Sequence, residues 1–297
     1  MKQNIVVGYD GSPAAVAALH WAANEAQRRG IDLELVHAYT IPVMYGAMGP
    51  GAAPSTFEVI RLDAEHIARE GTDLVHRHDA SLRVRTEIVA GPPAAVLRER
   101  SAHAEMLVVG VSGHHALAGA VLGSVTSRLA GAVTCPFVVV RPGRADDDDC
   151  ALPVLVGLDG SPISEAALGF AFDMASRRRV PLLAVRVWDD TPIDGWSYTY
   201  ALEVDRTATD ARERQVLHEQ LDSWSDKYPD VPVEAIVLRG HPAEALVRAG
   251  HLIERRPGLL VVGSRGRGGF AGLVLGSTSH GVIAHAECPV AVVHGAR

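Results

Sequence analysis

The sequence predicts an α/β protein of two tandem domains, each a five-stranded parallel sheet with helices on both faces. Three observations predict it. Short, near-continuous apolar runs alternate with longer segments of helical period, the pattern of parallel strands buried between helices. The whole order of elements is written twice in 297 residues, a length that suits two domains of ordinary size. Each copy also carries a glycine-rich stretch between an apolar run and a helix start. That strand–loop–helix order builds a phosphate cradle, because glycines let main-chain N–H groups approach an anion at the helix head.

The elements follow in order. Residues 4–9 read as a short buried strand ending in Asp10-Gly11-Ser12-Pro13, where Ser12 is a suitable N-cap and Pro13 a suitable first helical residue. The helix runs to about Arg29 on an apolar face of Val16, Leu19, Ala23 and Ala26, and Gly30 stops it. Residues 33–38 form the second strand. A Pro- and Gly-bearing loop over 40–56 carries Met44, Tyr45 and Met48, and a helix spans 57–78. The third strand covers 83–89, and Gly91-Pro92-Pro93 opens a helix that ends near His103. Residues 106–109 are the fourth strand, the helix after Ser124 ends near Val133, and 137–140 are the fifth strand.

The same order then recurs. Asp10-Gly11-Ser12-Pro13 returns as Asp159-Gly160-Ser161-Pro162, and Gly91-Pro92-Pro93-Ala94 as Gly240-His241-Pro242-Ala243, both at an offset of 149. The glycine loops and the Cys-Pro pairs at Cys135 and Cys288 are offset by 153, so four extra residues sit around 248–258. A duplication explains this economically. It sets domains at 1–143 and 151–297, joined by an acidic linker at 144–150 whose run Asp146-Asp147-Asp148-Asp149 reads as a solvated connector. Adjacent carboxylates on a flexible chain are not held in a coordination geometry, which disfavours a metal site there.

In the glycine loops the spacing is Gly263, two residues, Gly266, nine residues, Gly276, then Ser277; it recurs at Gly110, Gly113, Gly123 and Ser124. A chance match at any one start is on the order of one in ten thousand, so two matches at equivalent points of a repeat are meaningful. Asp10, Ala38 and Gly110 all fall at strand carboxyl ends, as do Asp159, Val187 and Gly263. In doubly wound sheets ligands bind there, where strand order reverses.

Composition narrows the function classes. Lys and Arg number 28 against 35 Asp and Glu, a net charge of −7, which argues against nucleic acid as a partner. The three cysteines, Cys135, Cys150 and Cys288, form no CxxC pair and read as buried small hydrophobes. No stretch approaches the ~20 apolar residues of a membrane span, and the start has no signal-like apolar run, so a cytoplasmic protein is expected. His76 with His78, or His114 with His115, lacks a third ligand for a metal. Arg265-Gly266-Arg267-Gly268-Gly269 is one copy in an acidic chain, not an RNA-binding tract. Trp21 and Trp196 read as packing residues. No GxSxG elbow, HExxH or Walker A lysine is present, so no catalytic residue is assigned.

These segments resemble the universal stress protein family in its tandem form. The motif G-x2-G-x9-G-[ST] is intact in both halves, and VGYDGSPAA, VGLDGSPIS, CPFVVV and CPVAVV agree with the family pattern. The resemblance implies two Rossmann-like domains of the adenine nucleotide α-hydrolase-like fold that pair within one chain through their last strands, with a homodimer also open. It implies ATP binding, with Mg²⁺, and regulation through an unidentified protein partner; slow ATP hydrolysis and a ligand-free dimerisation module are the alternatives. Asp10 and Asp159 would sit beside the ribose or metal-bound phosphates, and the main chain of Ala38 and Val187 would contact adenine. Gly110 and Gly113 would pass under ribose and phosphates, while Gly123, Ser124 and Val125 hold phosphates. Gly263, Gly266, Gly276, Ser277 and Thr278 repeat those roles. The 40–56 loop and its counterpart over 189–198 would act as lids over adenine.

Two expectations are specific to these residues. The second loop carries Arg265 and Arg267, permanent cations, where the first has Ser112 and His114, with His115 next. The second site should therefore hold ATP more tightly, and the first should gain affinity on mild acidification. A Cβ on Gly110 or Gly263 should block the ligand while leaving the fold largely intact.

Overall fold

A computed structural model describes residues 4–41, 54–113, 122–142, 152–189, 206–252, 256–266 and 275–295. The chain divides into two units, Met1–Asp146 and Asp147–Arg297. In the first, the order is β1 (Asn4–Gly8), α1 (Pro13–Arg29), β2 (Asp32–Tyr39), α2 (Pro54–His78), β3 (Val84–Ala90), α3 (Pro93–Ser101), β4 (Met106–Gly110), α4 (Ser124–Leu129) and β5 (Phe137–Val140). The sheet order is β3-β2-β1-β4-β5, and its pairings are parallel. Ile5 lies between Leu33 on one side and Met106 on the other, and all three are fully buried, as an apolar strand covered on both faces requires. Helix α1 packs on β1, β4 and β5 and meets α2, while α3 packs on β1 and β2 and meets α4. These contacts make two helical layers, one on each face.

The second unit repeats this with β6 (Val154–Leu158), α5 (Pro162–Arg178), β7 (Leu182–Trp188), α6 (Arg206–Lys227), β8 (Val233–Arg239), α7 (Pro242–Leu252), β9 (Leu259–Gly263), α8 (Ser277–His285) and β10 (Val290–Val293). Its sheet runs β10-β9-β6-β7-β8, again with parallel pairings. Helix α7 has 11 residues where α3 has 9, so part of the extra sequence lengthens this helix.

Local chemistry explains the ends of the first helix in each unit. Ser12 Oγ accepts from the Ala15 amide at 3.2 Å and Ser161 Oγ from the Ser164 amide at 3.2 Å, each with Pro next in line. Gly30 closes α1 in the left-handed region (φ 63°), whereas α5 closes on Arg179 at φ 57°, a conformation that costs a residue with a Cβ. Trp21 packs in the core as expected, and Cys135 and Cys288 are buried.

Several boundaries differ from the sequence reading. Helix α2 begins at Pro54, and α3 ends at Ser101 rather than His103. Helix α4 ends at Leu129, not Val133: at Gly131 the chain tightens, and the Ala132 amide bonds Leu129 O at 2.9 Å, an i→i+3 turn. Among the described residues no helix is long and apolar enough to cross a membrane.

Candidate functional site

In each unit the chain builds outward in one direction from the first strand and then returns to the opposite side. The reversal falls between β1 and β4, and between β6 and β9. Asp10 stands two residues beyond β1, Gly110 ends β4, and Ala38 is the next-to-last residue of β2. Asp159 directly follows β6, Gly263 ends β9, and Val187 is the next-to-last residue of β7. In the second unit these ends open into a cavity of about 530 Å³, within the range of small-molecule sites. Asp159, Val187, Gly263, Gly266, Gly276, Ser277 and Thr278 all line it, as does Arg265. Val185, Val187 and Leu246 give it apolar lining; Asp159, Arg265 and the start of α8 give it polar lining.

The two ends of the motif are pinched together. The Ser264 amide bonds Val293 O at 2.8 Å, and the Gly276 amide returns to Ser264 O at 2.8 Å, joining the two ends of the glycine stretch beside the sheet. Ser279 Oγ then donates to Gly263 O at 2.6 Å and ties the helix to the strand it left. The first unit repeats each bond: Val111 amide to Val140 O at 2.8 Å, Gly123 amide to Val111 O at 2.8 Å, and Thr126 Oγ1 to Gly110 O at 2.9 Å. Thr126 and Ser279 had no place in the sequence reading. Their recurrence as hydroxyls at the 153-residue offset was the signal that could have found them.

Asp10 and Asp159 each brace their Asp-Gly-Ser turn and face the glycine loop. One oxygen of Asp10 accepts from the Ser12 amide at 3.0 Å, and that of Asp159 from the Ser161 amide at 2.9 Å. The other oxygen faces the glycine loop: a Cβ on Gly266 would lie 2.6 Å from Asp159 Oδ2, and one on Gly113 would collide with Asp10 Oδ2. The turn thus aims each carboxylate across the switch point.

Ser124 and Ser277 are the first residues of their helices. Gly123 (φ −68°, ψ 153°) and Gly276 (φ −72°, ψ 153°) hold the extended cap conformation, with no side-chain cap bond. A glycine cap supplies no side-chain oxygen, so the first amides of α8 receive no side-chain acceptor from it. Gly110 and Gly263 also have packing duties. A Cβ on Gly110 would lie 2.6 Å from the Ala14 carbonyl carbon, and one on Gly263 would lie 2.9 Å from Ile163 Cγ2. An alanine at either position therefore disturbs the first helix of its unit, contrary to the sequence expectation. Arg267, the pair His114 and His115, residues 42–53, the linker residues 144–150 and residues 190–205 lie outside the described residues.

Behind β1, Tyr9 is buried against Leu35 and Gly71. Burial, then the Glu70 and Asp10 carboxylates, push its hydroxyl above the ordinary tyrosine range. Behind β7, Asp210 accepts from Trp188 Nε1 at 2.8 Å and from Arg239, anchoring the start of α6 to the strand ends. The Arg239 hydrogen bond is the largest cause holding the Asp210 carboxyl below the usual range, and the Trp188 bond adds to it.

The fold and the two switch points define a class: tandem doubly wound α/β domains with a pinched glycine loop in each. The universal stress protein family model matches residues 1–141 and again 152–294. The universal stress protein Rv2005c of Mycobacterium tuberculosis is 38% identical over 300 residues, covering 98% of this chain and 97% of that protein. Rv2623 of the same species is 38% identical over 299 residues, covering 97% and 95%. Among solved structures, a universal stress protein from Archaeoglobus fulgidus aligns over 100% of both chains with a TM-score of 0.71 at 18% identity, a likeness of fold. The chain belongs to the universal stress protein family.

Proposed function

We propose that the chain binds ATP with Mg²⁺ at the carboxyl ends of the central strands of each unit, in the cytoplasm. Occupancy would control its association with a protein partner rather than feed a reaction. The observation that carries this reading is the second unit's cavity of about 530 Å³, lined by both apolar and polar residues. The wall of Val185, Val187 and Leu246 suits a flat base. Gly263 and Gly266 suit a ribose and phosphates passing close to the main chain, and the leading amides of α8, at Ser277 and Thr278, suit phosphate oxygens. In the first unit Ala38, Gly110, Gly113, Gly123, Ser124 and Val125 take the same parts.

The metal fits the acid present. Asp159 lines the cavity, and among the described residues no group of three or more His, Cys, Asp or Glu forms a metal site. Mg²⁺ is commonly held by one or two carboxylates plus phosphate oxygens, which is what Asp159 and a triphosphate provide together. The ion would neutralise phosphate charge beside that carboxylate.

Native mass spectrometry of protein purified without added nucleotide, followed by calorimetry with ATP, tests the reading. Bound adenine nucleotide, or ATP heats with micromolar affinity or better, supports it. Neither result in a folded protein refutes it. Turnover under excess Mg²⁺ separates holding from cutting, and steady rapid hydrolysis would overturn the regulatory reading.

A further inference from the structure

We infer that Arg265 makes the second unit's site sensitive to the number of phosphates on its ligand. The first unit, with Ser112 in the equivalent place, lacks that sensitivity, so the two units load at different nucleotide concentrations. This deepens the nucleotide reading and rests on it.

The two cradles share one geometry. A Cβ on Gly276 would lie 3.3 Å from Arg265 Cα, and one on Gly123 would lie 3.0 Å from Ser112 Cα. In both units the residue before the second motif glycine is therefore stacked over the glycine that caps the helix. The loop closures match at 2.8 Å, and the hydroxyl ties from Ser279 and Thr126 occupy equivalent positions. Each carboxylate, Asp159 or Asp10, faces the second glycine of its motif. What differs at this position is the side chain: a guanidinium in one unit, a hydroxyl in the other.

Arg265 is placed to act on a ligand. It lines the cavity, its side chain is exposed, and among the described residues no carboxylate pairs with it. Its Cα lies against Gly276, and it shares the cavity lining with Ser277 and Thr278 at the start of α8, where a phosphate chain would end. A guanidinium holds phosphate oxygens two at a time and stays charged throughout the physiological range. Its attraction grows with each negative charge brought within reach, whereas neutral amides and a hydroxyl respond less. The benefit should rise from AMP through ADP to ATP and shrink with salt, since an exposed cation is screened.

Calorimetry on the full chain with Mg²⁺ and ATP, ADP or AMP, at low and at high salt, provides the test. Wild type should show two classes of site, and in R265S the tighter class should lose about three- to tenfold in ATP affinity with a smaller loss for AMP. Its salt dependence should flatten, the weaker class should stay unchanged, and S112R should strengthen that weaker class. R265K should recover part of the ATP affinity through charge alone. If R265S binds ATP and AMP as wild type does in both classes, the inference falls and the nucleotide reading stands. If wild type itself binds no nucleotide, both fall. Thermal melts of R265S and S112R at wild-type temperature exclude a folding effect.

Discussion

Alanine at Gly110 separates a glycine kept for packing from one kept for a ligand. The added Cβ would lie 2.6 Å from the Ala14 carbonyl carbon and 2.8 Å from both Ala14 O and Ala14 Cβ. None of these atoms can rotate away. Ala14 is the second residue of α1, whose start is fixed by the Ser12 cap and by the Asp10 bond to the Ser12 amide. The strain must therefore lift α1 from β4, and overpacking of this kind costs about 1–3 kcal/mol. At roughly 2–4 °C per kcal/mol for a unit of this size, the first unit's transition should fall by several degrees. Gly113→Ala is the comparison, because its Cβ meets a side-chain oxygen of Asp10 and no main chain. It should melt within about 2 °C of wild type while weakening nucleotide binding. Differential scanning calorimetry and ATP titration on both variants read the two effects separately. A Gly110→Ala protein that melts like wild type yet loses nucleotide would show that the strand-end glycine is reserved for the ligand.

Other predictions address caps, backbone strain and pH. Ser161→Ala removes the acceptor of the Ser164 amide and should cost about 1 kcal/mol in urea unfolding of the second unit; an unchanged midpoint would refute the cap. Arg179→Gly relieves the left-handed residue that ends α5 and should stabilise by about 1 kcal/mol, read as a higher midpoint at constant m-value. Tyr9 binds its proton more tightly folded than unfolded, so its stabilising contribution is whole below pH ~10 and is lost as pH rises through the raised folded value. Tyr9→Phe should therefore blunt the alkaline loss of stability in pH-scanned melts, and an identical alkaline limb would argue against it. Asp210 has the opposite sign: its lowered carboxyl favours the folded state above the usual carboxylate range, and that help is lost as pH falls through the folded value. Asp210→Asn should remove this acid sensitivity from the second unit's melt.

The architecture was legible because parallel strands and capped helices leave local signatures. Ser12-Pro13 and Ser161-Pro162 marked helix starts correctly, and Gly30 marked an end. The gap between Leu129 and Val133 was not legible, since an apolar run with good helical period can still tighten at a glycine. The glycine spacing pointed to the strand ends, and in the second unit its members gather on one cavity. Spacing alone did not reveal what each glycine avoids. Gly110 gives way to a helix backbone, Gly113 to a carboxylate and Gly123 to the main chain of its own loop. Those reasons arise from elements distant in sequence, beyond the reach of any local pattern.

The pinch at the root of each glycine stretch has a consequence for divergence after duplication. Val111 with Gly123, and Ser264 with Gly276, close on one another beside the sheet, so the start and the end of each glycine stretch are tied together. The strand before and the helix after are joined by these bonds and by the Thr126 and Ser279 hydroxyls, without use of the residues between. Each copy of an ancestral domain could thus diverge in sequence over this span, HHALAGAVL in one half and RGGFAGLVL in the other, while the same anchoring bonds persist in both.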